Sequence, residues 1–271
     1  MTSVRELAEG IEVFRRRGEA QRCAFVLLHG VGSNARSFEP LVQALPPSIE
    51  TIAWNAPGYG QSKPLAKDSP APRDYAAALA AVMDRLGISR AVLVGHSLGS
   101  LFAASFAANY PERVSALALL SPALGYRVPA HEPLPPAVQQ RIDELNTFGG
   151  QAFAAKRAAR LVGDPAQKPH VLAAVERAMA AVHPQGYAQA LRALGAGDML
   201  ADLAAVSVPS LVAVGSKDLI TPPDNAKAAR DALRGKTTYH EIAGSGHALP
   251  QEEPAVVARL LAAFVGDNAH A

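Results

Sequence analysis

A serine between two glycines, in Gly95-His96-Ser97-Leu98-Gly99, is the residue of this chain best placed to do chemistry. A hydroxyl is a poor nucleophile at neutral pH and needs an adjacent base, usually an imidazole oriented by a carboxylate. Two residues further along are of the right types: Asp218, in Gly215-Ser216-Lys217-Asp218, and His247, in Gly244-Ser245-Gly246-His247. Each closely follows a segment that reads as a strand, at 210–214 and 238–242. In a parallel sheet, reactive groups collect beyond the carboxyl ends of the strands, so all three would share one edge. Asp198 and Asp202 are rival acids, and Asp218 has the alternative reading of a surface turn residue.

The elements around the serine set its geometry. Ala91-Val92-Leu93-Val94 reads as a short buried strand, and residues 100–108, rich in alanine and phenylalanine, read as a helix. A serine at such a turn is forced into strained backbone geometry, and the flanking glycines let neighbouring backbone approach. A Gly-x-Ser-x-Gly arises by chance in roughly one chain of this size in ten, so the context carries the inference.

Upstream, residues 4–8 and 11–16 form a hairpin around Glu9-Gly10, and residues 24–28 form a continuous apolar strand of the kind covered on both faces. A helix is expected over 34–45, stopped by Pro46-Pro47, then a strand over 49–54 and a turn cluster over 55–60. A helix over 75–86 closed by Gly87 and a strand over 114–120 continue the alternation. This rhythm predicts an α/β domain with a parallel sheet and right-handed crossovers. From 125 to 206 no strand is expected, only amphipathic segments such as Val138-Arg141-Ile142-Leu145. The predicted organisation is therefore a core over 1–124, a helical insertion over 125–206, and a second core segment over 207–271, ending in a helix over 254–264.

The 271 residues are 49% hydrophobic and 18% charged, with a formal net charge of +2, enough apolar content for a large core and far from a polybasic nucleic-acid binder. Arg15-Arg16-Arg17, the one tight basic cluster, reads as a solvated hairpin end. Cys23 is the only cysteine, which rules out an intrachain disulfide and fits a reducing compartment; at the head of an apolar strand it is expected to be a small buried thiol. The start, Met1-Thr2-Ser3-Val4-Arg5-Glu6, lacks a signal-peptide apolar region, and no apolar run reaches the roughly 18 residues of a membrane span. A soluble cytoplasmic protein acting on a small molecule is expected, with no membrane or nucleic-acid partner; monomer and homo-oligomer stay open. His131, His170, His183, His240 and His270 show no metal-ligand spacing, and no nucleotide-binding glycine motif is present, so no metal and no cofactor are assigned.

Taken with His29-Gly30-Val31-Gly32 and Gly58-Tyr59-Gly60-Gln61-Ser62, the Ser97 turn, Asp218 and Gly246-His247 resemble the α/β-hydrolase family over nearly the whole chain. The order Ser, Asp, His is that family's order. The resemblance implies a mostly parallel eight-stranded sheet flanked by helices, with a helical cap inserted after the sixth strand. It implies Ser97 as nucleophile, His247 as general base and then acid, and Asp218 as its orienting partner. The loop after the sixth strand, Ser121-Pro122-Ala123-Leu124, offers no alternative carboxylate. The amides of Val31 and Leu98 would hold the developing oxyanion, with Gly32 as the fallback donor. His96 and His29 would be structural.

The implied reaction is hydrolysis of a small carboxylic ester or (enol-)lactone through an acyl-enzyme. Ser97 argues against dehalogenases and epoxide hydrolases of the family, which carry aspartate there. One alternative is carbon–carbon or amide hydrolysis of an aromatic-catabolism intermediate, though carbon–carbon hydrolases typically carry Gly-Pro-Gly where this chain has Gly32-Ser33-Asn34-Ala35. Another is a receptor-like member with vestigial catalysis. A histidine base predicts activity falling as pH drops through about 6.5. Within the insertion, Arg141, Arg157, Arg160, Arg177 and Arg192 are candidate partners for a substrate carboxylate or, more simply, solvated helix-face charges. Met199, Phe148 and Phe153 either line the pocket or pack the lobe, with packing the simpler expectation, and Trp54 is expected to belong to the core or the pocket floor.

Overall fold

The computed structural model describes residues 3–19, 23–129 and 132–268 of the chain, so His131 and His270 lie outside the described residues. Val4–Ala8 (β1) and Ile11–Arg16 (β2) pair antiparallel around Glu9-Gly10. Ala24–Leu28 (β3) follows, then a short 3-10 turn at Ala35–Phe38, helix α1 (Glu39–Ala44), β4 (Thr51–Trp54) and α2 (Pro72–Arg85). The serine segment comprises β5 (Ala91–His96), α3 (Leu98–Asn109) and β6 (Val114–Leu120).

Between β6 and the next strand come α4 (Pro136–Arg157), which breaks at Gly149, then α5 (Pro169–Ala180), α6 (Pro184–Ala196) and α7 (Met199–Leu203), with no strand among the described residues. The chain then returns through β7 (Ser210–Gly215), α8 (Pro223–Ala232), β8 (Thr237–Ile242), α9 (Leu249–Glu252) and α10 (Pro254–Asn268). No helix among the described residues is long and apolar enough to cross a membrane.

The eight strands form one sheet in the order β1-β2-β4-β3-β5-β6-β7-β8, antiparallel at β1–β2 and β2–β4 and parallel elsewhere. The central strands read as unbroken apolar runs because helices cover both faces. Leu93, Leu28 and Phe102 belong to the cluster on one face, and Leu27, Val94 and Leu261 to the cluster on the other. Trp54 lies in the core, edge-on to Phe102, which also stacks on Tyr75.

Three expectations are corrected. Arg15 and Arg16 are not solvated: Arg15 pairs with Glu50, and the Arg16 guanidinium donates to the carbonyls of Val42, Pro46 and Ile49 at the end of α1. Only Arg17 of the three projects outward. Because successive side chains of β2 point to opposite faces, Arg16 lies under the end of α1, where its several donors satisfy backbone carbonyls, and Arg15 lies on the other face, where it also approaches the Leu86 carbonyl beyond α2. Cys23 stands just before β3 and is exposed. The helix expected over 34–45 is split, because Asn34 caps the 3-10 turn through a bond from the Arg36 amide and Pro40 starts a separate helix.

Candidate active site

Ser97 sits between β5 and α3 with φ 54° and ψ −117°, a conformation that L-residues adopt only under constraint. The constraint is visible in its surroundings. The Ser97 amide donates to the Leu120 carbonyl at 2.9 Å, and the Ser100 hydroxyl donates to the Gly95 carbonyl at 2.8 Å. A Cβ at Gly95 would stand 2.5 Å from the Gly99 carbonyl oxygen, and one at Gly99 would stand 1.9 Å from the Leu28 carbonyl oxygen. Both glycines of the pentapeptide are therefore required by close backbone approach.

Asp218 and His247 come from the loops after β7 and β8, two neighbouring parallel strands whose carboxyl ends bring them together. The His247 ring donates from Nδ1 to Asp218 Oδ2 at 2.9 Å. Asp218 Oδ1 accepts from the amides of Ile220 and Thr221 at 2.8 and 2.9 Å, and the Thr221 hydroxyl lies 3.0 Å from Oδ2. Burial alone would raise this carboxyl, but the adjacent His247 and the two amides outweigh it and hold Asp218 at about 2. With Nδ1 engaged, Nε2 is the basic nitrogen left free.

Ser97 and His247 share the wall of one cavity of about 550 Å³, together with Val31, Leu98, Met179 and Phe153. No hydrogen bond joins the Ser97 hydroxyl to the His247 ring among the described residues. Such bonds commonly tighten only as substrate binds. The glycine-rich loop after β3 lies beside the serine, since a Cβ at Gly30 would be 3.0 Å from Ser97 Cβ. The amides of Val31 and Leu98 donate to no acceptor among the described residues; the latter is the first residue of α3, where a helix leaves its N–H groups free.

The loop is fixed from behind. His29 donates from Nδ1 to the Gly30 carbonyl and accepts from the Ala56 amide at Nε2; burial pushes it down to about 4. The Tyr59 hydroxyl donates to the Val31 carbonyl at 2.6 Å, and Asn55 accepts from the Ala35 amide. Asn55 in turn donates to the buried Glu12 carboxylate, which also pairs with Arg5 and accepts from the Gln61 amide. His96 is buried, and burial together with the neighbouring His247 pushes it down to about 3.

Asp198 and Asp202 do not reach His247. Asp198 caps α7 through the Ala201 amide, and burial beside Asp198 raises Asp202 to about 6. Phe153 lines the cavity, Met199 is buried away from it, and Phe148 is exposed rather than packed. Arg141, Arg157 and Arg160 face the cavity, while Arg192 donates to the Asp68 carbonyl elsewhere. The carboxylates of Glu12 and Glu252 and the hydroxyls of Tyr59 and Thr221 give no distinctive sequence signal as partners, because each has at least one partner more than 25 residues away.

An eight-stranded, mostly parallel sheet with a strained serine turn at the carboxyl edge defines a class of α/β enzymes. The chain belongs to the alpha/beta hydrolase fold family, whose model matches residues 24–254. It is 30% identical over 240 residues, 86% of the chain, to the biotin biosynthesis bifunctional protein BioHC of Cellvibrio japonicus. It is 32% identical over 124 residues, 44% of the chain, to 2-hydroxy-6-oxo-6-phenylhexa-2,4-dienoate hydrolase of Comamonas testosteroni. These matches span 45% and 43% of those two relatives' own lengths. Among solved structures it resembles the enol-lactonase of Burkholderia xenovorans LB400, with a TM-score of 0.84, 24% identity, and coverage of 97% of this chain and 100% of that one.

Proposed function

We propose that the chain is a serine hydrolase that cleaves a small carboxylic ester or (enol-)lactone through an acyl-enzyme. Ser97 attacks the carbonyl as His247 Nε2 takes its proton. The Val31 and Leu98 amides receive the charge that develops on the carbonyl oxygen, and Asp218 orients the imidazole and stabilises its cation. His247 returns the proton to the leaving oxygen, then activates the water that releases the acid. The helices between β6 and β7 cover this edge and form much of the pocket wall.

The observation that carries the reading is the buried Asp218–His247 pair, opening onto the same cavity as a serine at φ 54°. The test is turnover of p-nitrophenyl acetate with a pre-steady-state burst, abolished in Ser97→Ala with an unchanged circular dichroism spectrum. Silence across acyl chain lengths would favour a ligand-binding role instead.

A second reading is favoured by the match to the dienoate hydrolase. A compound named as a 6-oxo-dienoate contains no ester, so its hydrolysis breaks a carbon–carbon bond. Gly32-Ser33-Asn34-Ala35, in place of Gly-Pro-Gly, weighs against that reading here.

A further inference from the structure

The cavity that holds Ser97 and His247 is unevenly charged. Its wall includes Arg141, Arg157 and Arg160 and not one aspartate or glutamate, although the chain as a whole carries 26 basic and 24 acidic residues. Asp218 does not offset them, because its carboxylate is turned away from the cavity and spent on the His247 ring and two amides.

The three guanidinium groups are not equivalent. Arg157 is committed: Nε and NH2 both donate to Glu144 Oε2, at 3.0 and 2.5 Å, and the same carboxylate takes Lys156. Arg141 is half-buried, and its one hydrogen-bond acceptor among the described residues is the Tyr187 hydroxyl, reached from Nε at 3.2 Å, which leaves both terminal nitrogens unspent there. Arg160 has neither an ion pair nor a hydrogen bond among the described residues. The rest of the wall is largely apolar, with Leu124, Met179, Leu194, Leu219 and Ile220. Two guanidinium groups with free N–H donors, Arg141 half-buried and Arg160 exposed at the rim, beside an otherwise largely apolar wall suit a substrate that carries a carboxylate on a short hydrocarbon frame.

We propose that the substrate is an anion: an ester or lactone bearing a free carboxylate that Arg141 and Arg160 bind while its acyl carbon meets Ser97. The proposal rests on the serine-hydrolase reading of the same site. Bound this way, the carboxylate fixes the carbonyl relative to the serine, so the arginines act as specificity determinants and take no part in proton transfer.

The experiment pairs each anionic probe with a neutral one of similar size. 4-Nitrophenyl hydrogen glutarate against 4-nitrophenyl pentanoate places the carboxylate on the acyl side; 4-acetoxybenzoate against 4-acetoxybenzamide places it on the leaving side. In at least one pair the anion is expected to be favoured about 10- to 100-fold in kcat/KM, the range set by a hydrogen bond to a charged group. Arg141→Gln and Arg160→Gln should each erase most of that preference, read as the ratio of kcat/KM for the anionic probe to that for its neutral partner. Equal or better turnover of both neutral probes overturns the proposal.

Turnover that survives Ser97→Ala would instead sink the serine reading. The two failures stay distinct because binding is read separately, by calorimetry of Ser97→Ala with the same glutarate and pentanoate esters. Tighter binding of the anion, lost in Ser97→Ala/Arg160→Gln, supports the proposal whatever the chemistry. Equal affinity for the two esters overturns it.

Discussion

His96 and His247 are joined across 151 residues of chain: the His96 ring donates from Nε2 to the His247 carbonyl oxygen at 2.7 Å. The residue beside the serine thus holds the peptide that carries the imidazole. Removing the ring leaves a buried carbonyl unpaired, which costs about 1–3 kcal/mol. His96→Ala is expected to lower the urea midpoint accordingly and to reduce kcat more than it raises KM. An unchanged midpoint would mean that the bond does not hold the loop.

Acid should weaken the fold through His29 and His96. Unfolded, each takes a proton near its ordinary value of 6.5; folded, burial holds them to about 4 and about 3. Between those values the unfolded chain binds more protons, so stability falls as pH drops below 6.5, by about 1.4 kcal/mol per pH unit per histidine. Asp218 adds a second loss lower down. Held at about 2 against an ordinary 3.8, it stabilises fully above 3.8 and loses that contribution as pH falls toward 2. Denaturant midpoints measured from pH 7 to 4 should fall steadily. A level curve from 6.5 to 5 would rule out the buried neutral histidines as the cause.

Much of the frame was legible from local pattern. The hairpin around Glu9-Gly10, the apolar strand Ala24–Leu28 and the strand Val114–Leu120 follow directly from apolar runs and turn residues. So does the absence of strands between β6 and β7 among the described residues. The serine turn was legible because its glycines are a local requirement. What escaped depends on distant partners. Arg16 looks like any surface arginine until β2 is laid beneath the end of α1. Likewise, Glu12 looks like a strand-surface acid until the loop around Gln61 folds over it. Cys23 is exposed because it precedes β3 by one residue, at a strand boundary where burial changes abruptly.

The Asp218 carboxylate is expected to matter through orientation. Asp218→Asn keeps the shape but can no longer stabilise an imidazolium, and turnover should fall by up to ~10⁴-fold, the scale known for serine proteases. Thr221→Val removes the hydroxyl that lies 2.9 Å from the Ser121 carbonyl oxygen, 3.0 Å from Asp218 Oδ2 and 3.1 Å from His247 Nδ1 while leaving the carboxylate in place, and should cost roughly tenfold. Equal losses in the two variants would argue that the loop, rather than the charge, is what matters.

Tyr59 positions the loop that carries the Val31 amide. Its hydroxyl donates to the Val31 carbonyl at 2.6 Å, and its ring packs edge-on to His29. Tyr59→Phe keeps the packing and deletes one bond, so stability should change by about 1 kcal/mol. If the loop supplies the oxyanion donor, kcat should fall about tenfold with KM nearly constant, since the affected interaction forms only in the transition state. A rise in KM alone would assign Tyr59 to substrate binding.

Glu252 ties the histidine loop to the helices between β6 and β7. Its buried carboxylate accepts from the Gly246 amide at 2.9 Å and from the Gly163 amide at 3.0 Å, and Lys168 approaches it at 3.3 Å. The Ala248 amide also reaches across, to the Leu161 carbonyl at 2.8 Å. The residue before His247 is therefore held by a group whose other oxygen holds Gly163, so movement of one is felt at the other. Glu252→Gln can accept at one oxygen only, which leaves a buried amide unpaired at a cost of about 1–3 kcal/mol. The expected result is a lower denaturation midpoint together with faster amide hydrogen exchange in both the 161–168 and 244–248 segments. Lys168→Met, which removes only the outer cation, should leave exchange at 244–248 unchanged. Faster exchange confined to one segment would show that the two are not coupled through this carboxylate.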